Sequence, residues 1–253
     1  GGILNRLGIT YLVNDPPLAA VSRSFQNVSL ERVLQSDVVS LHVPLTYRGE
    51  SRTKDLVNAT NVEIPRSGTL LINTSRGGVV DELALCARIS SGRPIYAAID
   101  CWAEEPNIDL DLLRRVWVAT PHIAGHSSKA RLAATYVLCT ALDLYLKHER
   151  VCSDAMENKH RERICLETGK SGVIDALSKA HPLLDQTKCL RRILRLPGPQ
   201  RGPYFDDLRR RNGFRAEFSN IYIESGALDP ETIRELRTLG FRCGRYLNEG
   251  VGV

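Results

Sequence analysis

Apolar residues in this chain fall into short runs with two different periodicities. Asp37-Val38-Val39-Ser40-Leu41, Thr69-Leu70-Leu71-Ile72-Asn73, Ile95-Tyr96-Ala97-Ala98-Ile99 and Val116-Trp117-Val118-Ala119 are near-continuous stretches rich in branched residues. That is the pattern of buried parallel strands. Gly8-Ile9-Thr10-Tyr11-Leu12-Val13 reads as another strand, stopped by Pro16-Pro17. Between the runs, spacing and end signals predict helices. Ser29 N-caps a short amphipathic helix over 29–35, residues 53–64 read as helical, and Asp81 caps a helix reaching about Ser90. Residues 127–147 predict one long helix, with Ala130, Ala134, Val137, Leu138, Ala141, Leu144 and Tyr145 spaced for a buried stripe.

Strands alternating with helices predict right-handed βαβ units, hence an α/β fold built on a Rossmann-like parallel sheet. Around 148–165 the composition turns polar and charged, so a domain boundary is placed there: 1–150, then 151–253. The second segment predicts a small α+β domain. Residues 172–180 and 183–195 read as helices separated by His181-Pro182, and 196–203 reads as a loop. Asn220–Glu224 reads as a strand, and Asp229-Pro230 opens a helix that Gly240 closes.

Composition narrows the class. Apolar and charged fractions of 43% and 25% are those of an ordinary globular protein. No run approaches the ~18 apolar residues of a membrane span, and no signal-peptide pattern opens the chain, so no membrane partner is expected. The seven cysteines are scattered without a CxxC pair, which predicts reduced thiols in a cytoplasmic setting and no metal site. Most of the +5 net charge lies in 151–253. The Arg209-Arg210-Arg211 run has no aromatic platform beside it, so no nucleic-acid partner is expected.

The candidate chemistry sits just past the strand runs, at the edge where open α/β sheets bind ligands. Arg76, in Asn73-Thr74-Ser75-Arg76-Gly77-Gly78, offers a planar fork for a carboxylate, with glycines allowing close approach. Asp100-Cys101-Trp102-Ala103-Glu104-Glu105-Pro106 offers carboxylates, one of which can orient a histidine; Glu104 is expected to face solvent, and Cys101 and Trp102 to pack. Thr120-Pro121-His122-Ile123-Ala124-Gly125 supplies that histidine, while His42 is expected to line the side away from the chemistry. Asp15 stands where dinucleotide-binding folds place the acidic residue that accepts the ribose hydroxyls, or else is simply a turn-former before two prolines. The matching Gly-rich loop lies about 20 residues upstream in such folds, so it is expected to be absent or shortened here.

Together His42-Val43-Pro44-Leu45-Thr46, Asn73 through Asp81, Asp100-Cys101-Trp102 with Glu105-Pro106, and Pro121 through Gly125 resemble the D-isomer-specific 2-hydroxyacid dehydrogenases. The resemblance covers residues 8 to about 147. It implies an NAD-dependent oxidoreductase with Arg76, Glu105 and His122 as catalytic residues. It further implies Asp15, Val43, Thr74, Ser75, Arg76, Asp100 and Gly125 as cofactor-binding residues, and Arg76 and His126 as substrate-binding residues. Residues 1–150 would be the NAD-binding domain. Phe205-Asp206-Asp207-Leu208-Arg209 and Arg215-Ala216-Glu217-Phe218 narrow the resemblance to members that act on a phosphorylated 2-hydroxy acid and dimerise through a C-terminal domain. The alternatives are a phosphoglycerate or hydroxypyruvate type of the same family, and a non-catalytic dimerising module.

Overall fold

The computed structural model describes residues 1–146, 162–166, 172–224 and 228–244. Two compact units emerge: 11–124 with 183–211, and the described parts of 1–10, 125–182 and 212–253. After α1 (Gly2–Arg6), which belongs to the second unit, the first unit runs α2 (Pro16–Val21), α3 (Leu30–Leu34), β1 (Val38–Leu41), β2 (Leu70–Asn73), α4 (Glu82–Ile89), β3 (Tyr96–Ile99), α5 (Leu110–Arg115) and β4 (Val118–Ala119). The chain then enters the second unit with α6 (Ser128–Leu146), β5 (Glu162–Cys165) and α7 (Gly172–Ala180). It returns to the first through α8 (Leu183–Leu190), a 3-10 turn (Arg191–Arg195) and α9 (Gly198–Arg211). It finishes in the second with β6 (Ile221–Glu224), α10 (Pro230–Leu239) and β7 (Arg242–Gly244). Each compact unit is thus assembled from separate stretches of the chain.

The first unit carries a four-stranded, all-parallel sheet in the order β1-β2-β3-β4. Val39 pairs with Leu71, Leu71 with Ala97, and Ile99 with Ala119, so every second side chain along these rows enters one core. Helices add Leu34, Leu85, Leu112 and Leu113, and the returning segment adds Leu190, Ile193 and Phe205. Burying each of these large side chains is worth about 1.5–3 kcal/mol. The opposite face is less covered than the continuous apolar runs predict: Val38, Tyr96 and Trp117 are each more than half exposed. The second unit has a three-stranded parallel sheet, β5-β6-β7, with α7 and α10 against it. Residues 162–165, expected within the linker, are thus a strand; 147–161 lie outside the described residues.

Helix ends follow their chemistry. Ser29 caps α3, Asp81 caps α4, and Asp229 caps α10, each accepting backbone N–H groups of the first turn. Gly240 closes α10 at φ 105°, a left-handed conformation that costs glycine nothing.

Four further expectations differ from the structure. Residues 9–13 form no strand: Val13 O accepts Val28 N–H, but that single bond starts no ladder. Residues 53–64 form turns rather than a helix. Asn58 and Asn61 turn their side chains onto local backbone, Asp55 sits at φ 54°, and Val57 bridges Val80 instead. Residues 198–211 are helical despite Pro199 and Pro203. The first-turn proline removes an N–H that has no intrahelical partner. Tertiary packing then carries the turn, with Gly202 close to Pro106 and Phe205 buried. Finally, no residue of α6 is buried: Val137, Leu138 and Tyr145 are 64%, 72% and 83% exposed. The stripe is present in α6, but no layer covers it among the described residues.

Candidate active site

The ends of β2 and β3 and the loop after β4 converge on a small set of side chains. β2 stops at Asn73, a buried amide that organises the following turn. Its Oδ1 accepts from Ser75 N–H (3.1 Å) and Ser75 Oγ (2.7 Å), while Nδ2 donates to the carbonyls of Arg76 (3.1 Å) and Cys101 (3.4 Å). The turn lies so close to the next strand end that a Cβ on Gly77 would stand 1.8 Å from the Trp102 carbonyl oxygen. Only glycine fits. Arg76 is exposed at the rim, with Nη1 donating to Ser75 O (2.7 Å). Its Nε/Nη2 edge remains as a pair of parallel donors.

Beyond β3, Asp100 is 3% exposed and holds the loop after β4. Oδ1 accepts from Thr120 Oγ1 (2.6 Å) and Ile123 N–H (2.8 Å), and Oδ2 from Ala124 N–H (3.0 Å). The Asp100 carbonyl takes His122 N–H (2.8 Å), and Trp102 Nε1 donates to Thr120 O (3.0 Å). These bonds fix His122 at φ 55°, an uncommon conformation for a residue with a Cβ. Its Nδ1 lies 2.8 Å from Glu105 Oε2 and 3.1 Å from Oε1. A carboxylate only accepts, so Nδ1 carries a proton, and in the neutral ring Nε2 is then the atom with the lone pair. Glu105 is itself oriented by Trp102 N–H (2.8 Å).

Cys101 completes the cluster. It is buried, donates to Ser75 O (3.3 Å), and offers a sulfur within 4.8 Å of ligand atoms of both Glu105 and His122. Burial, reinforced by the charges of Asp100 and Glu105 and opposed by Arg76 and Arg209, pushes its thiol up to about 12. Glu105 and His122 are thus brought together with Cys101, while the only hydrogen-bond partner of the Arg76 side chain among the described residues is the Ser75 carbonyl.

Of the other expected site residues, Ser75 is buried in the Asn73 turn, Thr74 is half-buried, and Val43 packs on the sheet core. Asp15 caps α2 through Oδ1, which accepts from Leu18 N–H (3.0 Å), and its own N–H donates to Asn27 Oδ1 (2.7 Å). Gly125 and His126 belong to the other unit, where His126 lies beside Gly213. His42 is exposed against Ser40 Oγ (2.8 Å), and Glu104 is exposed as expected.

Two contributors carried no functional assignment in the sequence. One is Asn73, whose position at a strand end before Ser75 is the turn chemistry that marks such a residue. The other is Glu82 in the first turn of α4, whose Oε1 accepts from Ala103 N–H (2.7 Å) and so tethers the loop carrying Glu105. Burial, opposed by the Ala103 bond and reinforced by Asp109, Glu104 and Glu105, pushes the Glu82 carboxyl up to about 7. It lines a cavity of about 330 Å³ shared with Lys54, Asp81, Glu104 and Asp109.

Residues 2–124 match the family model of the D-isomer-specific 2-hydroxyacid dehydrogenase NAD-binding domain. Over most of its length the sequence is similar to erythronate-4-phosphate dehydrogenases. The Hahella chejuensis enzyme is 36% identical over 253 residues, covering 95% of this chain and 65% of that one. The Pseudomonas paraeruginosa enzyme is 35% identical over 245 residues, covering 94% and 64%. The chain thus spans just under two thirds of the length of these relatives. Among solved structures, a D-lactate dehydrogenase from Treponema pallidum superposes with a TM-score of 0.47 at 26% identity, covering 59% of this chain and 50% of that chain.

Proposed function

We propose that this chain serves the NAD-dependent oxidation of 4-phospho-D-erythronate at its 2-hydroxyl, giving (R)-3-hydroxy-2-oxo-4-phosphooxybutanoate in pyridoxal 5′-phosphate biosynthesis. The observation that carries this reading is the His122–Glu105 pair, with His122 Nδ1 2.8 Å from Glu105 Oε2. His122 Nε2 takes the C2 hydroxyl proton. Glu105 fixes the tautomer and stabilises the imidazolium that results. The Nε/Nη2 edge of Arg76 grips the C1 carboxylate through two parallel hydrogen bonds. NAD, when bound, accepts the hydride from C2.

The donor set at the sheet edge fits a dinucleotide. Asp15 commits Oδ1 to its helix, which leaves Oδ2 for a ribose hydroxyl. Val43 and Thr74 offer partly exposed surface along the strand ends. Ser75 and Asp100 are buried, so their share in cofactor binding runs through the turns they hold. Gly125 and His126 are proposed for cofactor and substrate from their place in the sequence directly after His122-Ile123-Ala124. Residues 1–150 and 151–253 are the proposed NAD-binding and dimerisation segments. The uncovered apolar residues of α6, in the unit that also holds β5–β7, support a homodimer. Free thiols at Cys86, Cys101, Cys139, Cys165, Cys189 and Cys243 suit a reducing cytoplasm. Among the described residues no helix is long and apolar enough to cross a membrane.

The test is made in the enzyme carrying this chain. His122→Ala is expected to lower kcat about 10²–10⁴-fold while NAD still binds calorimetrically. Near-normal turnover in that variant removes His122 from the chemistry. A preference for 3-phosphoglycerate over 4-phosphoerythronate in the unmodified enzyme overturns the substrate assignment instead.

A further inference from the structure

Cys101, Glu105 and His122 offer one sulfur, one carboxylate oxygen and one imidazole nitrogen, all within 4.8 Å of one another. Three ligands of a tetrahedral zinc ion stand about 3.5 Å apart, given metal–ligand bonds of about 2.0–2.3 Å. Small side-chain rotations therefore bring the three atoms onto one ion. We infer that these three side chains form a binding site for a thiophilic divalent cation, zinc above all, and that its occupation switches off His122.

The donor set selects the ion. A thiol and an imidazole favour Zn²⁺ over Mg²⁺ or Ca²⁺, which take oxygen ligands. Two buried or half-buried carboxylates, Asp100 and Glu105, surround the sulfur and favour a cation there. An entry path exists on the His122–Glu105 side, where the two side chains keep 23% and 18% exposure although Cys101 is covered. The fourth position falls to solvent, as in sites that are not purely structural.

The exchange balances. Cys101 gives its Sγ proton to solvent and loses the bond to Ser75 O as sulfur binds the ion. His122 presents Nδ1 to the metal, so its single proton moves to Nε2. Glu105 exchanges its hydrogen bond with Nδ1 for a bond to the ion. The Nε2 lone pair, required for taking a substrate proton, is then gone. This inhibition rests on the reading of His122 as the base; metal occupancy does not. Sequence spacing gives no hint of the site, because its ligands come from the ends of two different strands.

The experiment is a titration of the reduced 253-residue chain with Co²⁺, followed by competition with Zn²⁺. Wild type is expected to take up one equivalent with a thiolate-to-cobalt charge-transfer band in the near ultraviolet, reversed by Zn²⁺. Cys101→Ser is expected to lose the band and to bind Zn²⁺ at least ~10-fold more weakly. A band that survives in Cys101→Ser overturns the site, since another thiol then supplies the sulfur. So does the absence of any band in wild type. If Cys101→Ser does not fold, Glu105→Gln decides: at least ~10-fold weaker binding is expected, and unchanged affinity refutes the assignment. None of these readings uses substrate, so their failure leaves the dehydrogenase assignment standing. In the enzyme carrying this chain, micromolar Zn²⁺ is expected to inhibit wild type, and Cys101→Ser is expected to lose that Zn²⁺ sensitivity relative to its own metal-free rate.

Discussion

Replacing Gly77 with alanine tests the close approach between the ends of β2 and β3. The new methyl would stand 1.8 Å from the Trp102 carbonyl oxygen, 2.4 Å from its carbon and 2.9 Å from Ala103 Cα. A carbon and a carbonyl oxygen rest at about 3.3 Å or more, so one backbone must retreat by about 1.5 Å. The obstacle is main chain within a tethered loop, not the tip of a flexible side chain. Overpacking of this kind costs about 1–3 kcal/mol. Shifting residues 102–103 also strains the bonds from Trp102 N–H to Glu105 and from Ala103 N–H to Glu82, each worth about 1 kcal/mol. The expected loss is therefore about 3–5 kcal/mol, or on the order of 10 °C in Tm. Urea unfolding monitored by tryptophan fluorescence measures it, with Gly92→Ala as the control. Nothing lies within 4 Å of a Cβ at Gly92, so that variant is expected to stay within about 0.5 kcal/mol of wild type. A loss below about 1 kcal/mol for Gly77→Ala would refute the close approach.

Two pH effects follow from the displaced titrations. The Glu82 carboxyl is raised from 4.5 to about 7, so the folded chain holds a proton that the unfolded chain has released between those values. Its contribution to stability is full below pH 4.5 and is lost as pH rises through 7. Glu82→Gln is expected to remove this slope and to be more stable than wild type at pH 8 by about 2 kcal/mol, after discounting for partial exposure. Parallel urea curves for the two proteins across pH 5–8 would sink the idea. His181, stacked on Phe218, has the opposite sign: burial and then the charge of Arg215 lower it from 6.5 to about 4. Its contribution is complete above pH 6.5 and disappears as pH falls to 4, a loss of about 1–2 kcal/mol once screening is allowed for. His181→Leu should flatten that limb in acid titrations followed by circular dichroism, and an unchanged limb would rule the account out.

The parts of this molecule legible in the sequence are those decided locally. Val39, Leu71, Ala97 and Ala119 announce their strands by continuous apolar runs, and Ser29, Asp81 and Asp229 announce helix starts by their own side chains. Arg76, Glu105 and His122 are conspicuous because polar groups at strand ends have few structural uses. What local reading misses is decided by partners far along the chain. Residues 53–64 are turned by pairing with 78–81, and 198–211 are held helical by packing on Pro106 and the sheet core. The stripe on α6 is a correct pattern with the wrong inference attached, since periodicity identifies an apolar side without naming what covers it. Glu82 escaped notice because its role depends on Ala103, across the gap between helix and loop.

The return of α8 and α9 to the first sheet bears on how the molecule is made. Ala119 N–H donates to Thr187 Oγ1, and Arg191 donates to the Leu113 and Val116 carbonyls, across separations of 68, 78 and 75 residues. Contacts that distant close slowly, because the chain between them must first lose its freedom. During synthesis the strands are therefore laid down early but sealed late. A ribosome paused near residue 150 would display a half-finished layer with its last strand's edge uncovered, a natural client for chaperones until the returning helices arrive.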